Sequence, residues 1–304
     1  MAKIDLEYCK IISNILLNGV EYVDKNRDVV RRQIPYYTFR HEFETGGFPA
    51  ITMKELYWKG VIGELIWFLQ GNTNARWLSD RGIHIWDKDA LNYYNRLTGR
   101  ELTMDQFNQD SMRHSVGRNY SFQYRRFNGQ VDQIKKLVEG MIENIMSTYL
   151  IVTAWNPSDL DDTALAPCHY GYQIIGVPLD NGEFGFELHW KQRSVDGFLG
   201  MSFNIASYGL LALILEALTG YKAVAIQGDL KCVHLYENQI EAATEMLKRN
   251  PNQFDACQVS VPIYLSSPNE TLDWKLDRLS IEDFTVSGYK SHEKMKVEML
   301  AHKK

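Results

Sequence analysis

Apolar residues recur at helical spacing over residues 5–19, where Leu6, Ile11, Ile12, Ile15 and Leu16 line one side and Gly19 follows as a stop. A surface helix is predicted there. After the basic loop DKNRDVVRRQ, residues 34–43 are rich in aromatic and apolar side chains and predict a strand, which the turn signal ETGGFP closes. The run TMKELYWKGVIGELIWFL (52–69) places Leu56, Val61, Leu65 and Phe68 among apolar neighbours, and Thr52 is the natural N-cap of a long, mostly buried helix. Residues 91–119 are polar with little periodicity, which predicts surface excursions holding at most one short helix. A helix over 131–145 and a buried strand in LIVTAWN come next. Two strands joined at Asp180-Asn181-Gly182 follow, a sequence that suits a hairpin turn. A helix from 204 to about 219, a strand near 223–227 and a helix over 237–248 complete the pattern. With no repeat, low-complexity tract or linker, the prediction is a single α+β domain over residues 1–304.

At 304 residues, 45% hydrophobic and 23% charged, the chain can bury a large core, and disorder, collagen-like repeats and coiled coil are excluded. Its 33 Lys+Arg against 38 Asp+Glu leave a net charge of −5, the wrong sign for a surface built to neutralise duplex phosphates, so no nucleic-acid partner is expected. The most apolar stretch, 205–218, is interrupted by Ser207 and Glu216 and falls short of the ~20 apolar residues of a membrane span. It reads as a buried helix, and no membrane partner is expected. Cys9, Cys168, Cys232 and Cys257 form no C-x-x-C pair, so neither a metal site nor a disulfide framework is signalled. Charges in MAKIDLEYCK stand where a secretory signal needs an apolar core. The expectation is a cytoplasmic protein.

Two segments carry candidate chemistry. Cys168 sits in ALAPCHYGYQ, beside a predicted strand, where a lone thiol by itself reads as an inert core residue. The segment QRSVDGFLGMSFN, residues 192–204, gathers amide, guanidinium, hydroxyl, carboxylate and carboxamide groups; by itself it reads as a solvated loop with a helix cap. Together, A-P-C-H followed by Q-R-S-x-D-x-x-L-G-x-x-F-N-I-A-S-Y resembles the thymidylate synthase family. The resemblance extends to FPAITMK (48–54), GELIWFLQGNTNARWL (63–78), IWD (85–87), YSFQYR (120–125), AWN (154–156), HLYEN (234–238) and EDFTVSGYKSH (282–292). It is weaker over 91–119 and 249–275.

The resemblance implies a large mixed β-sheet with packed helices and a homodimer formed through the sheet face. It also implies one-carbon transfer from methylenetetrahydrofolate, as co-substrate and without a metal, to C5 of a uridine nucleotide, dUMP to dTMP. The residue types suit that reaction. C5 of uracil is a weak nucleophile until a thiolate adds to C6 and leaves an enolate whose charge reaches C5, the role implied for Cys168. A free thiol ionises only near pH ~8.5, so a cation such as Arg193 would raise the reactive fraction. Arg193 is also implied, with Ser194 and Arg27, at the substrate phosphate, where planar donors fit phosphate oxygens, and Gln192 is implied in substrate binding. The Asn204 carboxamide can accept from uracil N3–H and donate to O4 at once, whereas related cytidylate hydroxymethylases carry an acid there; the bland alternative is that Asn204 caps the next helix. His234 and Tyr236 are implied at the sugar 3′-hydroxyl. Glu64, in an otherwise apolar helix, is a candidate acid/base, with a salt bridge at a helix end as its structural alternative. Tyr120 is implied in removal of the C5 proton or is simply buried packing. Trp86, Asp196, Gly200 and Phe203 match folate-site positions and Lys54 the position near the folate tail.

The chain also departs from the family. Thr148-Tyr149 stands where an arginine pair reaches across the dimer to the neighbouring phosphate, and Arg31, Arg32, Arg118 and Arg126 are the candidate replacements. Lys88-Asp89 follows IWD where an aromatic residue is usual, and the tail continues as LAHKK. A looser closure would let water attack in place of hydride and give a 5-hydroxymethyl product, so a dUMP or UMP 5-hydroxymethylase is the alternative reading. A non-catalytic relative that binds nucleotide, folate or RNA is a third.

Overall fold

A computed structural model describes residues 3–25, 29–109 and 114–298 of the chain. Helix α1 (Lys3–Asn18) turns Ile4, Tyr8, Ile11, Ile12 and Ile15 inward and ends where Gly19 N donates to Ile15 O at 2.9 Å. Strands β1 (Val20–Asp24) and β2 (Val29–Glu42) pair antiparallel, and the expected turn is one helical turn, α2 (Phe43–Gly46). The predicted helix at 52–69 is shorter than expected: α3 spans Trp58–Leu69, and Thr52 does not cap it. Thr52 N and Oγ1 instead donate to the two carboxylate oxygens of the buried Asp5, at 2.7 and 2.5 Å, which holds 51–57 outside the helix.

The polar stretch holds more helix than predicted, α5 (Asp87–Thr98) and α6 (Met104–Asn108), after the short α4 (Arg76–Ser79). Ala90 and Tyr93 face inward from α5, and Thr103 with Gln106 makes a reciprocal cap for α6. Helices α7 (Tyr120–Arg126) and α8 (Gln133–Glu143) lead to β3 (Ile151–Thr153), an edge strand shorter than the LIVTAWN run suggested. The predicted hairpin is β4 (His169–Pro178) with β5 (Phe184–Gln192). After β6 (Val195–Asp196) come α9 (Gly200–Thr219), β7 (Lys222–Tyr236) and α10 (Glu237–Met246). The chain closes with β8 (Gln258–Ser260), α11 (Leu272–Asp277) and β9 (Thr285–Ser287).

Among the described residues the main sheet runs β1-β2-β7-β5-β4-β3, with β6 also on β7. β7 is parallel to β5 and β6, and the remaining pairs are antiparallel, so the sheet is mixed. Its register aligns Phe39, Gly228 and Trp190, then His41, Ile226 and Leu188, on the inner face. Tyr36, Thr38 and Arg40 alternate onto the outer face beside Lys231, Asp229 and Gln227. Helix α9 has the length and apolarity of a membrane span, but Ile205, Leu210, Leu211, Ile214 and Leu215 are buried inside the protein. It is a central core helix. Because β4 runs against β5 while β5 runs with β7, β4 begins where the other two end. Cys168, the 192–196 segment and His234 with Tyr236 therefore arrive at one end of the sheet.

Candidate active site

A cleft of about 430 Å³ opens at that end. Cys168 stands on its wall, half-buried at the entry to β4, and its backbone N–H donates to Tyr120 Oη at 2.7 Å. The turn behind it is braced by Arg193. Arg193 N donates to Cys168 O at 2.8 Å, Nε to Pro167 O at 2.9 Å and Nη2 to Ala166 O at 2.8 Å, with the guanidinium 5.4 Å from the Trp155 ring. Three carbonyls in a row are thus fixed by one residue, and the position of the thiol with them. Arg193 itself is not on the cleft wall.

Asn204 lies inside α9, one turn beyond the cap position at Leu199, so it does not cap the helix. Gln192 Nε2 donates to Asn204 Oδ1 and to Ser194 O, both at 3.2 Å, which orients the carboxamide toward the cleft. A carbonyl oxygen has two lone pairs, so this bond leaves Oδ1 able to accept again. Parallel pairing of β6 with β7 sets Asp196 opposite His234. Asp196 Oδ1 accepts from Phe198 N and Leu199 N at 3.0 and 2.9 Å, and Oδ2 accepts from Gln239 Nε2 at 2.9 Å. His234 Nδ1 contacts Cys232 O at 2.8 Å, and the His234 and Tyr236 rings meet edge to face at 4.8 Å.

Glu64 occupies the middle of α3, not its end, and accepts from Trp86 Nε1 at 2.7 Å. Burial pushes its carboxyl up to about 7, against the smaller opposing effect of the Trp86 hydrogen bond. Tyr120 opens α7 and stacks on His169, with centroids 4.2 Å apart and planes at 17°. Burial holds the Tyr120 phenol well above its ordinary value, so it remains a neutral hydroxyl. The same burial lowers His169 to about 3, leaving a neutral ring whose Nδ1 is 2.9 Å from Tyr208 Oη.

The cleft thus gathers Cys168, Glu64, Tyr120 and Asn204 with Gln192, Ser194, His234, Tyr236, Trp86, Asp196, Gly200 and Phe203. Lys54 is placed apart, buried, with Nζ donating to Ser202 Oγ at 2.8 Å and 5.3 Å from the Phe198 ring. Burial lowers its ammonium to about 8, with Asp196 pulling the other way. Arg27 lies outside the described residues, as does the LAHKK tail. Arg31 pairs with Asp24, Arg32 with Glu21, Arg118 with Asp159 and Asp162, and Arg126 donates to Gly71 O. Of these, Arg31 sits directly opposite Tyr236 in the β2–β7 ladder.

Sequence reasoning passed over His169, Tyr57, Leu165, Leu199 and Val297 as members of the wall, which Lys88 and Asp89 also join. His169 follows Cys168 in the A-P-C-H motif, and that adjacency was the available signal; Tyr57 and Val297 come from segments whose approach to the cleft depends on tertiary contacts. Among the described residues, no group of three or more His, Cys, Asp and Glu side chains could hold a metal ion.

The family model for thymidylate synthase matches residues 6–301. A protein of Escherichia phage T5 described as a probable thymidylate synthase is 35% identical over 299 residues, covering 96% of this chain and 99% of that protein. With a match across nearly its full length, the chain belongs to the thymidylate synthase family.

Proposed function

We propose that this protein transfers the one-carbon unit of methylenetetrahydrofolate to C5 of a uridine nucleotide, converting dUMP to dTMP, and that residues 1–304 act as one catalytic domain. The observation that carries this reading is the convergence of Cys168, Asn204 and Glu64 on one cleft. Cys168 Sγ bonds to C6 of the uracil ring and the electron pair of the C5–C6 double bond passes to O4, so C5 becomes the nucleophile. Asn204, oriented by Gln192, reads the N3–H and O4 edge. Glu64, with its carboxyl lifted to about 7, exchanges a proton near neutral pH at that edge. Tyr120, whose hydroxyl is tied to Cys168 N, works as a neutral relay for the C5 proton. His234 and Tyr236 hold the sugar hydroxyl. Ser194 and Arg27 serve the phosphate, Gln192 acts on the substrate through Asn204, and Arg193 fixes the thiol-bearing turn.

The folate supplies the one-carbon unit and the reducing hydride when bound. Trp86, Ile85, Leu199 and Phe203 give the cleft an apolar wall suited to a flat fused ring, and Asp196 and Gly200 border it. Lys54, bonded to Ser202, ties segment 51–57 to α9, the helix that carries Gly200 and Phe203. The functional unit is a homodimer, formed through the outer sheet face. Tyr36, Tyr149 and Ile151 are exposed, and the Arg40–Glu187 pair lies on that face, features that support it.

The test is to incubate the protein with dUMP and methylenetetrahydrofolate, follow dihydrofolate absorbance and weigh the nucleotide. Thymidylate with dihydrofolate is the expected outcome, and Cys168→Ser should lower turnover by roughly a thousandfold or more while leaving the protein folded. Near-normal turnover of the variant would reject covalent catalysis. A 5-hydroxymethyl product with tetrahydrofolate would support the second reading. One observation favours it: the charged Lys88 and Asp89 stand on the cleft wall and would bring water close to the reacting carbon.

A further inference from the structure

Asp5 is a carboxylate in the first turn of α1, fully buried beside Ile4 and Tyr8. Burying a charge is unfavourable unless its oxygens are bonded, and both oxygens here accept from Thr52, through its N–H and its hydroxyl, with the Met53 backbone also bonding the carboxylate. Neither Asp5 nor Thr52 is on the cleft wall, so the mechanism above uses neither. Thr52 is also where the C-terminal segment attaches, because its carbonyl accepts from His292 N at 2.9 Å.

The carbonyls on either side are taken in the same way. Ile51 O accepts from Tyr289 Oη at 2.9 Å, and Tyr289 Oη in turn accepts from Leu56 N at 2.9 Å. Met53 O accepts from Arg249 Nη1 at 2.7 Å, and the same nitrogen donates to Glu293 O at 2.9 Å. The two segments joined in this manner each deliver a side chain to the cleft, Tyr57 from one and Val297 from the other. Residues 51–57 have no helix or strand of their own; Ile51, Met53 and Leu56 are buried in the core, Lys54 is bonded to Ser202, and Asp5 adds the tie that holds the backbone at Thr52.

We propose that Asp5 is a positioning residue: by holding Thr52 it fixes segments 51–57 and 289–297 together and so shapes the folate side of the cleft, where Tyr57 and Val297 stand. Naming the folate side rests on the one-carbon-transfer reading; the coupling of the two segments does not. The nucleotide side, built from Cys168, Asn204 and His234 on the sheet and α9, stays in place without it.

The experiment compares the full-length protein with Asp5→Ala, which removes both bonds, and Asp5→Asn, which keeps an acceptor for Thr52 N and a polar partner for its hydroxyl. Hydrogen exchange is read in peptides covering 51–57 and 289–297, and KM is measured for each substrate. For Asp5→Ala, faster exchange in both segments, a roughly tenfold rise in folate KM and a nucleotide KM within about twofold are expected, with most of the loss restored in Asp5→Asn. Unchanged exchange in the two segments, or equal changes in both KM values, overturns the proposal. Should Asp5→Ala not fold, Thr52→Val, which removes only the hydroxyl contact, is judged by the same criteria. If the unaltered protein turns over neither substrate, the functional reading falls, while the exchange data still decide whether Asp5 couples the two segments.

Discussion

Glu64 and Asp5 are both buried carboxylates, one in the middle of the apolar α3 and the other in the first turn of the amphipathic α1, and the partners and location of each decide its use. Burial lifts both, Asp5 to about 6 against its Thr52 hydrogen bonds and Glu64 to about 7 against its single Trp86 donor; Asp5, bonded through both oxygens away from the cleft, serves as an anchor, whereas Glu64 faces the cleft and can exchange a proton there. Burial lifts Glu64 from its ordinary value of 4.5 to about 7, so between those values the folded protein holds a proton that the unfolded chain releases. The favourable contribution is therefore complete below about pH 4.5 and is lost as pH rises through about 7. Glu64→Gln keeps an oxygen for Trp86 Nε1 and cannot ionise. It should lower turnover by roughly a hundredfold yet stabilise the protein at pH 8 by on the order of 3 kcal/mol, read from denaturant unfolding at pH 5 and pH 8. Equal stability of the two proteins at both pH values would show that the carboxyl is not perturbed by its site.

At the scale of elements, hydrophobic periodicity located α1, α8, the β4–β5 hairpin, α9 and α10 to within a few residues, because each presents one continuous apolar face or a turn signal. The misses have physical causes. Helix α3 begins later than expected because Thr52, a good cap by residue type, bonds to a side chain far away in sequence. Strand β7 runs on to Tyr236, well past the predicted 223–227, since Asp229 and Lys231 belong to the outer face and read as loop residues in isolation. The meeting of Cys168, Asn204 and Glu64 on one cleft was legible through ordered motifs. The bracing of the thiol turn by Arg193 was not, because backbone carbonyls carry no sequence signal. Helix α9, which carries Phe203 and Asn204, stops at Gly220, whose φ of 79° is left-handed. No atom would meet an added Cβ there, so Gly220→Ala tests the backbone alone. A loss of about 1 kcal/mol and roughly 2 °C in Tm is expected by calorimetry, with kcat unchanged; no change in Tm would contradict the capping role.

For the whole molecule, the sheet has one face covered by helices and another that carries Tyr36, Arg40 and Lys231, and the site lies at the end where three strands meet. Association through the open face would leave the catalytic end accessible. Sedimentation equilibrium should give the mass of two chains, and Tyr36→Glu should shift it toward one; a single-chain mass for the unaltered protein would remove the dimer from the account.

The proposed chemistry requires Cys168 to bond to the pyrimidine ring. Its most direct test is mass spectrometry of the protein mixed with 5-fluorodeoxyuridylate and methylenetetrahydrofolate, in which fluorine replaces the C5 proton that must leave and so traps the complex. A stable adduct carrying nucleotide and folate is expected on the peptide that contains Cys168. Unmodified Cys168 under saturating concentrations of both ligands would contradict it.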